Sequence, residues 1–288
     1  MISAVLIVKN EENYLPKCLE SIKGVDEIII CDTGSTDKTI EVAHKYTDKV
    51  FTDYKWNDSF CEARNHALSK ATGDWILSID ADETLESLEV VREAIKNNPN
   101  ELVLNCTLQT RKGEQFKFPR VFKRCPDVFW KGSIHNYINQ APKVNTDIRI
   151  NYEYSDAHKK DPDRALRILG KEVIKDPKCG REKFYLAREY WYRKDFESAI
   201  HWYEEYLKTA WWNMEMAEAE LQITKCYCNL NNYTKAKEHC LKAILINADF
   251  KEALVIMSKL TGPKNRKKWE AFSELAENND VLFVRNYN

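Results

Sequence analysis

The chain has 288 residues, more than the roughly 100–200 residues of one domain, so its length predicts two domains. Its 44 Lys and Arg residues nearly balance 45 Asp and Glu residues, and the net charge of −1 excludes nucleic-acid binding by bulk charge alone. A composition of 43% hydrophobic and 31% charged residues, with only 8 Gly and 8 Pro, excludes disordered and collagen-like chains.

The nine cysteines are an odd number and contain no Cys-x-x-Cys pair. Because no signal peptide is recognisable at Met1, we expect free thiols in a reducing compartment, and therefore a soluble cytoplasmic protein. The apolar run Ala4–Val8 is far shorter than the ~20 residues that a membrane span requires, so no membrane span is predicted.

Short apolar runs alternate with amphipathic stretches in the first part of the chain. This alternation is typical of a mainly parallel sheet with helices on both faces. Between Leu102 and Ile150 the pattern predicts hairpins or irregular structure around an active-site cleft. In chain order we expect a strand at Ile2–Val8, a helix at Asn13–Ile22, a strand at Val25–Cys31, a helix at Thr36–Tyr46 capped by Ser35 or Thr36, and a strand at Trp75–Ile79.

The second part of the chain is helical and repeats with a separation of 37 residues. The repeat resembles the tetratricopeptide repeat, so we predict a catalytic domain at 1–160 and a helical repeat domain at 161–288. The alternative to a true repeat is a helical bundle whose period arises by chance. Because such repeats can mediate self-association, a homo-oligomer is also expected to be possible. The matched pairs are Tyr190 with Tyr227, Phe196 with Tyr233, Ala199 with Ala236 and Tyr203 with Cys240; Ala165–Pro177 is a half unit and Lys251–Leu260 a further helix.

Two acidic motifs follow predicted strands, where a doubly wound sheet presents its ligand-binding groups. Asp80-Ala81-Asp82 comes directly after the strand Trp75–Ile79, and two carboxylates on a turn can share a hard cation with a diphosphate. Asp32 begins a second motif, in which Gly34 permits a tight turn and Asp32 accepts a hydrogen bond from a base or ribose. The alternatives are a solvated turn and an ordinary strand-to-helix loop.

Two further groups of polar residues occur in the first part of the chain. Lys9, Asn10 and Glu11 follow the first strand, and Arg64 lies in a predicted helix. Arg64 suits a phosphate or a nucleotide, although a surface salt bridge is the simpler interpretation.

Five motifs in this order resemble the family 2 glycosyltransferases with a GT-A fold, in particular the bacterial and phage branch that carries tetratricopeptide repeats. Phe118–Phe122 and Gly132–His135 continue the likeness, since they resemble the family's Arg-x-Phe and Gly-x-Val-His-Glu segments. The five motifs are Val8–Glu12, Asp32–Asp37, Ala63–Asn65, Ala71–Trp75 and Asp80–Glu83.

The resemblance implies a metal-dependent transfer from a nucleotide sugar, expected to be a UDP-sugar, to a hydroxyl or thiol on a protein, peptide or glycan. Asp32 would contact the base, and Asp80 the ribose or the metal. Asp82 would hold Mg²⁺ or Mn²⁺ on the diphosphate, with His158 as a further candidate ligand. The nucleotide-sugar residues implied are Lys9, Asn10, Glu11, Asp32, Arg64, Asp80, Ala81 and Asp82.

One position departs from the family pattern. Asn136 stands where the family segment usually has Glu, so a general base would come from elsewhere, with Asp156 and Asp127 as candidates. The neighbouring His135 is a third candidate catalytic residue. An acceptor that needs no strong base, or a reaction that retains the anomeric configuration, is the alternative.

Two other functions remain open. Seven basic residues interleaved with aromatic residues between Arg111 and Lys131 suit phosphates and an extruded base, so DNA carrying a hydroxymethylated pyrimidine is an alternative acceptor. Core aromatic residues and an ordinary charged surface would explain the same segment. A catalytically inactive repeat-bearing scaffold is the second alternative, although the intact Asp80-Ala81-Asp82 argues against it.

Overall fold

The computed structural model describes residues 1–153, 161–279 and 281. The chain divides into two compact units, Met1–Asp163 and Arg164–Asn288. The elements described in the first unit are β1 (Ile2–Val8), α1 (Leu15–Ser21), β2 (Glu27–Asp32), α2 (Thr39–Ala43), β3 (Val50–Phe51), α3 (Phe60–Ser69), β4 (Trp75–Ser78), β5 (Glu83–Leu85), α4 (Leu88–Asn97), β6 (Val103–Thr110), β7 (Gln115–Lys123), β8 (Trp130–Lys131), β9 (Tyr137–Ile138) and β10 (Val144–Tyr152).

The first unit is built on a mixed, mainly parallel sheet. Within residues 1–153, eight strands follow the order β3-β2-β1-β4-β7-β6-β10-β5. β3, β2, β1 and β4 are parallel neighbours, and so are β6 and β10. β7 is antiparallel to both β4 and β6. A short turn joins β6 directly to β7, which is a connection that only antiparallel neighbours allow. The predicted fold class is confirmed.

Helices cover both faces of this sheet. Successive side chains of β1 point to opposite faces, so Leu6 packs in the cluster that contains Leu19 of α1. Val5 packs on the other face, in the cluster that contains Ala67 of α3. Burial on both faces explains why β1 has a continuous apolar sequence rather than an alternating one.

The helix predicted at Thr36–Tyr46 is shorter than expected, and the predicted cap is wrong. α2 begins at Thr39 after Lys38, whose side chain makes no capping hydrogen bond, and Asp37 Oδ1 accepts the Thr39 N–H at 3.0 Å. Ser35 and Thr36 bind Asn10 instead: the Ser35 hydroxyl accepts the Asn10 N–H at 2.9 Å, and the Thr36 N–H donates to Asn10 Oδ1 at 2.7 Å. These bonds compete with helix formation, as is usual for short polar side chains.

A buried polar network closes the amino-terminal edge of the sheet. The Glu27 carboxylate accepts hydrogen bonds from Ser3, from Lys49, and from the N–H and hydroxyl of Thr72, the last two at 2.8 Å each. Burial alone would raise the pKa of Glu27, but hydrogen bonds from Lys49, Ser3 and Thr72 lower it to about 2. The Ser3 hydroxyl also accepts the Gly73 N–H at 2.8 Å.

Gly73 has no room for a side chain in this network. A Cβ at this position would lie 2.6 Å from Ser3 Oγ and 2.8 Å from the Ser3 nitrogen. Gly73→Ala should therefore lower the free energy of unfolding by about 1–3 kcal/mol, the usual range for overpacking. Urea denaturation measures this change, and Gly170→Ala is the comparison, since a Cβ there meets nothing within 4 Å and alanine inside a helix is expected to raise stability by ~0.5–1 kcal/mol. Equal stability of the two variants would contradict the prediction.

The described part of the second unit is helical, and consecutive helices pack against each other. α7 (Phe196–Leu207) and α9 (Tyr233–Ile246) begin 37 residues apart, as the repeat predicts. The matched residues Ala199 and Ala236 are completely buried, so the small side chains lie at packed helix contacts. The tetratricopeptide assignment itself, and self-association through it, stay predictions. The described helices are α5 (Arg164–Lys175), α6 (Arg181–Tyr192), α7 (Phe196–Leu207), α8 (Asn213–Asn229), α9 (Tyr233–Ile246), α10 (Lys251–Leu260) and α11 (Pro263–Leu275).

Two findings bear on the expectations from composition. All nine cysteines are free thiols. Among the residues that the structure describes, no helix combines the length and the apolar character needed to cross a bilayer.

Candidate active site

The polar loops after β1, β2 and β4 meet at the carboxyl-terminal edge of the sheet. These three strands are parallel neighbours, so the residues that follow them share one edge. The Thr33 N–H donates to the Val8 carbonyl at 2.9 Å, which continues the β1–β2 pairing into the loops. Asn10, with φ of 57°, then binds Ser35 and Thr36. The first two candidate motifs therefore form one connected surface.

Glu11 is held in the same connection. Its N–H donates to Thr39 Oγ1 at 2.7 Å, while the carboxylate of the next residue, Glu12, accepts the Lys38 N–H at 3.0 Å. Lys9 is exposed at the start of this loop. Asn10 and Glu11 thus fix the backbone of the β1 loop. The sequence analysis assigned these two residues only to nucleotide binding.

Asp32 has one buried carboxylate oxygen for which the described residues supply no hydrogen-bond partner. The residue is 4% exposed, and its Oδ2 accepts the N–H groups of Gly34 and Ser35 at 2.9 Å each. Gly34 has φ of 109°, which favours glycine in this turn. Oδ1 is buried with no hydrogen-bond partner among the described residues. Because an unsatisfied buried acceptor costs free energy, this atom suits an N–H donor of a ligand.

Asp80 is clamped between two arginines. Arg64 Nη2 donates to Asp80 Oδ1 at 2.8 Å, and Arg120 Nη2 donates to Asp80 Oδ2 at 2.9 Å. Burial would raise the pKa of Asp80, but the charges of Arg64 and Arg120 lower it well below its usual range. Asp80 is therefore a carboxylate whose two oxygens each already accept a charged hydrogen bond.

Glu83 binds the backbone of Asp80 and pairs with one of its two arginines. It is 1% exposed, accepts the Asp80 N–H at 2.9 Å and forms an ion pair with Arg120. Burial raises the pKa of Glu83 above its usual range. The two guanidinium groups lie over aromatic rings, Arg64 at 4.9 Å from the Trp130 centroid and Arg120 at 5.1 Å from that of Phe118.

Asp82 lies in a well-packed part of the loop rather than on a solvated turn. It is 9% exposed, and its neighbour Ala81 is 5% exposed. The Asp82 carbonyl accepts the Glu153 N–H at 2.7 Å. The Glu153 carboxylate in turn pairs with Lys17 and with Arg111, the latter at 2.6 Å. The backbone of Asp82 is thereby fixed independently of its carboxylate.

The side chains of this loop bear on whether a divalent cation could be shared here with a diphosphate. Among the described residues no group of three or more His, Cys, Asp and Glu side chains is arranged to hold a metal ion. Asp80 accepts hydrogen bonds from two arginines, and His158 lies outside the described residues. Mg²⁺ is commonly held by one or two carboxylates together with substrate phosphates, and Asp82 offers a carboxylate for that arrangement.

The small β8–β9 hairpin is anchored to α3. Asn65 brackets Trp130, since its Nδ2 donates to the Trp130 carbonyl and its Oδ1 accepts the Trp130 N–H, both at 2.9 Å. The Phe60 N–H donates to the Ser133 carbonyl at 2.8 Å. His135 is exposed at the turn of this hairpin, with φ of 50°.

The proposed general bases lie in different places. The Asp127 side chain is exposed, and its carbonyl accepts hydrogen bonds from Asn139 and Gln140, so it belongs to the β8–β9 segment. Asp156 lies outside the described residues, as His158 does. Hydrogen bonds connect Asn10 to the Asp32 loop and Arg64 to Asp80. The hydrogen bonds of the Asp127 carbonyl, in contrast, go to Asn139 and Gln140 of its own segment.

The basic and aromatic segment proposed for DNA is largely structural. Phe122 and Trp130 belong to the core. Arg120 is buried in ion pairs, and Arg124 Nε donates to the Gly73 carbonyl at 2.8 Å. Phe116 and Phe129 are the exposed large apolar residues here. This distribution favours the interpretation of core aromatic residues and an ordinary charged surface.

The sequence analysis did not predict that Arg120 and Glu83 form hydrogen bonds with Asp80. Both residues stand in motifs that were recognised, but neither was assigned to the site. Arg120 is 40 residues from Asp80, and only the β4–β7 pairing brings them together. A buried arginine in a strand is the signal that would have found it, since such an arginine requires an acidic partner.

A family model described as glycosyl transferase family 2 matches residues 3–164, more than half of the chain. The chain belongs to glycosyl transferase family 2. This family member is 29% identical over 224 residues to the SPbeta prophage-derived glycosyltransferase SunS of Bacillus subtilis, covering 72% of this chain and 52% of the relative. It is 36% identical over 147 residues to a TPR repeat-containing protein of Synechococcus elongatus, covering 49% of this chain and 36% of the relative.

The chain thus spans about half or less of the length of these curated relatives. A third relative, the lipopolysaccharide core biosynthesis glycosyltransferase LpsC of Rhizobium meliloti, is 38% identical over 89 residues, which are 30% of this chain and 33% of the relative. The crystal structure of S. aureus TarS 1–349 in complex with UDP-GlcNAc superimposes with a TM-score of 0.52 at 13% identity, covering 85% of this chain and 91% of that chain. This likeness shows the fold, and the expected GT-A architecture is confirmed.

Proposed function

We propose that this chain transfers a sugar from a UDP-sugar to a hydroxyl or thiol on a protein, peptide or glycan, with Mg²⁺ or Mn²⁺ bound at Asp82. The observation that carries the proposal is the buried Oδ1 of Asp32, which has no hydrogen-bond partner in the part of the chain that the structure describes and lies at the same sheet edge as the Asp80–Asp82 loop. A carboxylate oxygen of this kind accepts the imide N–H of uracil. That the similar structure of TarS holds UDP-GlcNAc supports a uridine donor.

The diphosphate of the donor would extend from Asp32 toward Asp82. The cation would supply charge neutralisation for the departing nucleoside diphosphate, a Lewis-acid contribution of several kcal/mol. Asp82 would hold that cation, while Lys9, Asn10 and Glu11 shape the β1 loop beside the base. Arg64 and Asp80 order the loop that carries Asp82, because their ion pair is 2.8 Å long and largely buried.

The acceptor side is proposed to lie at the β8–β9 hairpin. His135 is exposed at its turn, and Asp127 is exposed in the preceding segment. Either residue, or Asp156, would remove the proton of the acceptor group during attack on the anomeric carbon. The name of LpsC places that relative in lipopolysaccharide core biosynthesis, which supports a glycan as one acceptor class.

A donor-hydrolysis screen tests the proposed function. The purified chain is incubated with Mn²⁺ and a panel of UDP-, GDP- and TDP-sugars, and the released nucleoside diphosphate is measured. We expect release from one or more UDP-sugars, and its loss when EDTA removes the metal. Absence of both turnover and UDP binding would contradict the proposal.

Asp32→Asn should weaken UDP binding about 10- to 100-fold, the loss expected when a charged hydrogen bond of ~1.5–3 kcal/mol is removed. An amide nitrogen in place of Oδ1 would also point a donor at the N–H of uracil. Isothermal calorimetry with UDP and Mn²⁺ measures the change, and exposed Asp48→Asn is the matched control. Unchanged affinity in the Asp32 variant would remove Asp32 from the base site.

A further inference from the structure

We propose that Arg120 and Glu83 are positioning residues of the donor site, which hold the Asp80–Asp82 loop in the geometry that productive donor binding requires. The inference rests on the proposed function. Neither residue was expected from sequence to take part in the site.

The geometry gives each residue two points of attachment. Glu83 accepts the main-chain N–H of Asp80 at 2.9 Å and pairs with Arg120. Arg120 donates to the side chain of Asp80 at 2.9 Å. The Glu83–Arg120 ion pair therefore holds Asp80 at two points: Glu83 binds its backbone N–H, and Arg120 binds its carboxylate. Because Glu83 is 1% and Arg120 6% exposed, both act through Asp80 rather than on the donor directly.

The same arrangement extends from Asp80 to the acceptor-side hairpin. The second oxygen of Asp80 accepts from Arg64, whose guanidinium lies 4.9 Å from the Trp130 ring centroid. Asn65, the next residue of α3, binds both polar backbone groups of Trp130. A shift of Asp80 would therefore move Arg64 and disturb the packing of Trp130. Arg120 and Glu83 thus fix the position of donor-side and acceptor-side elements relative to each other.

Charge balance allows stability to be separated from positioning. The guanidinium groups of Arg64 and Arg120 pair with the carboxylates of Asp80 and Glu83, and the carboxylate of Asp82 adds a third negative charge close to Glu83. Removing Arg120 alone leaves an uncompensated buried carboxylate, which is strongly destabilising. Removing the charge of Glu83 at the same time restores the net charge that the cluster has in the wild type, and replacement of a complete buried ion pair by uncharged residues is often tolerated. The double variant should therefore fold while its loop is held less firmly.

The experiment compares Arg120→Met with the double variant Arg120→Met/Glu83→Gln. Melting temperature is measured together with kcat and KM for Mn²⁺-dependent hydrolysis of the UDP-sugar found in the screen. We expect the single variant to melt at a lower temperature and the double variant to recover. We expect kcat/KM of the double variant to stay about 100-fold below wild type, the scale of loss from a 1 Å misplacement. Arg149→Met, an exposed arginine on β10, is the control with unchanged turnover.

Wild-type turnover by a folded double variant would overturn the inference and leave the proposed function intact. A wild-type chain that neither binds UDP nor turns over a donor would overturn both. Should the double variant fail to fold, Arg120→Lys keeps the charge but loses the planar geometry of the guanidinium. We then expect that variant to fold with kcat/KM at least 10-fold below wild type, and full activity would overturn the inference.

Discussion

Replacement of Asp82 by asparagine is expected to reduce Mn²⁺-dependent UDP release by about 100-fold or more. A cation that neutralises the leaving diphosphate contributes several kcal/mol, and each ~1.4 kcal/mol is tenfold in rate. The neutral amide is a poor ligand for a hard cation, so the loss should appear in both metal affinity and kcat. Hydrolysis measured across a Mn²⁺ titration gives both quantities.

The fold should survive this change. Although Asp82 is 9% exposed, its backbone is fixed by Glu153, and asparagine has nearly the same volume as aspartate. We expect the melting temperature to stay close to that of wild type. Asp147→Asn, on an exposed position of β10, is the matched control. Near-normal activity with unaltered Mn²⁺ dependence in the Asp82 variant would show that the cation is held elsewhere.

Glu27→Gln is expected to lower the free energy of unfolding by about 3 kcal/mol at pH 7. The pKa of Glu27 is lowered from its ordinary value of 4.5 to about 2, and at ~1.4 kcal/mol per pKa unit this shift corresponds to a stabilisation of that size. The carboxylate accepts from Ser3, Lys49 and Thr72, whereas a glutamine amide would turn two N–H groups toward some of these donors. Urea denaturation at pH 7 measures the difference.

The pH dependence of this difference has a definite sign. A carboxylate with a lowered folded-state pKa stabilises the protein fully above the unfolded-state value and loses that contribution as the pH falls. The gap between wild type and Glu27→Gln should therefore be constant from pH 7 to about 5 and shrink between about pH 4.5 and 2. Glu20→Gln, an exposed partner of Lys23, is the control. A gap that does not change over this pH range would contradict the role assigned to the Glu27 charge.

The sequence was sufficient for the elements whose pattern is local. The apolar runs of β1, β2 and β4 predicted buried strands within two residues of their observed bounds, because burial on both faces leaves no polar position. The start of α2 was wrong because Ser35 bonds to Asn10, a contact between two separate loops. The placement of β10 between β6 and β5 also depends on long-range pairing that no local pattern indicates.

The candidate site divides in the same way. Asp32, Asp80 and Asp82 were identifiable because each follows a predicted strand, and parallel strands bring their carboxyl ends together. The clamp around Asp80 was not identifiable, since it combines Arg64 of α3 with Arg120 of β7. Such pairing is fixed by sheet order and by helix packing rather than by spacing along the chain.

The Glu27–Gly73 network and the acidic loops occupy opposite edges of one sheet. Glu27 and Trp75 begin the strands that Asp32 and Ser78 end. The strands therefore separate the residues on which stability is expected to depend from the residues that are proposed to bind the donor. We expect substitutions in the loops around Asp32 and Asp80 to combine additively with substitutions in the Glu27 network, because the length of the strands keeps the two sets apart.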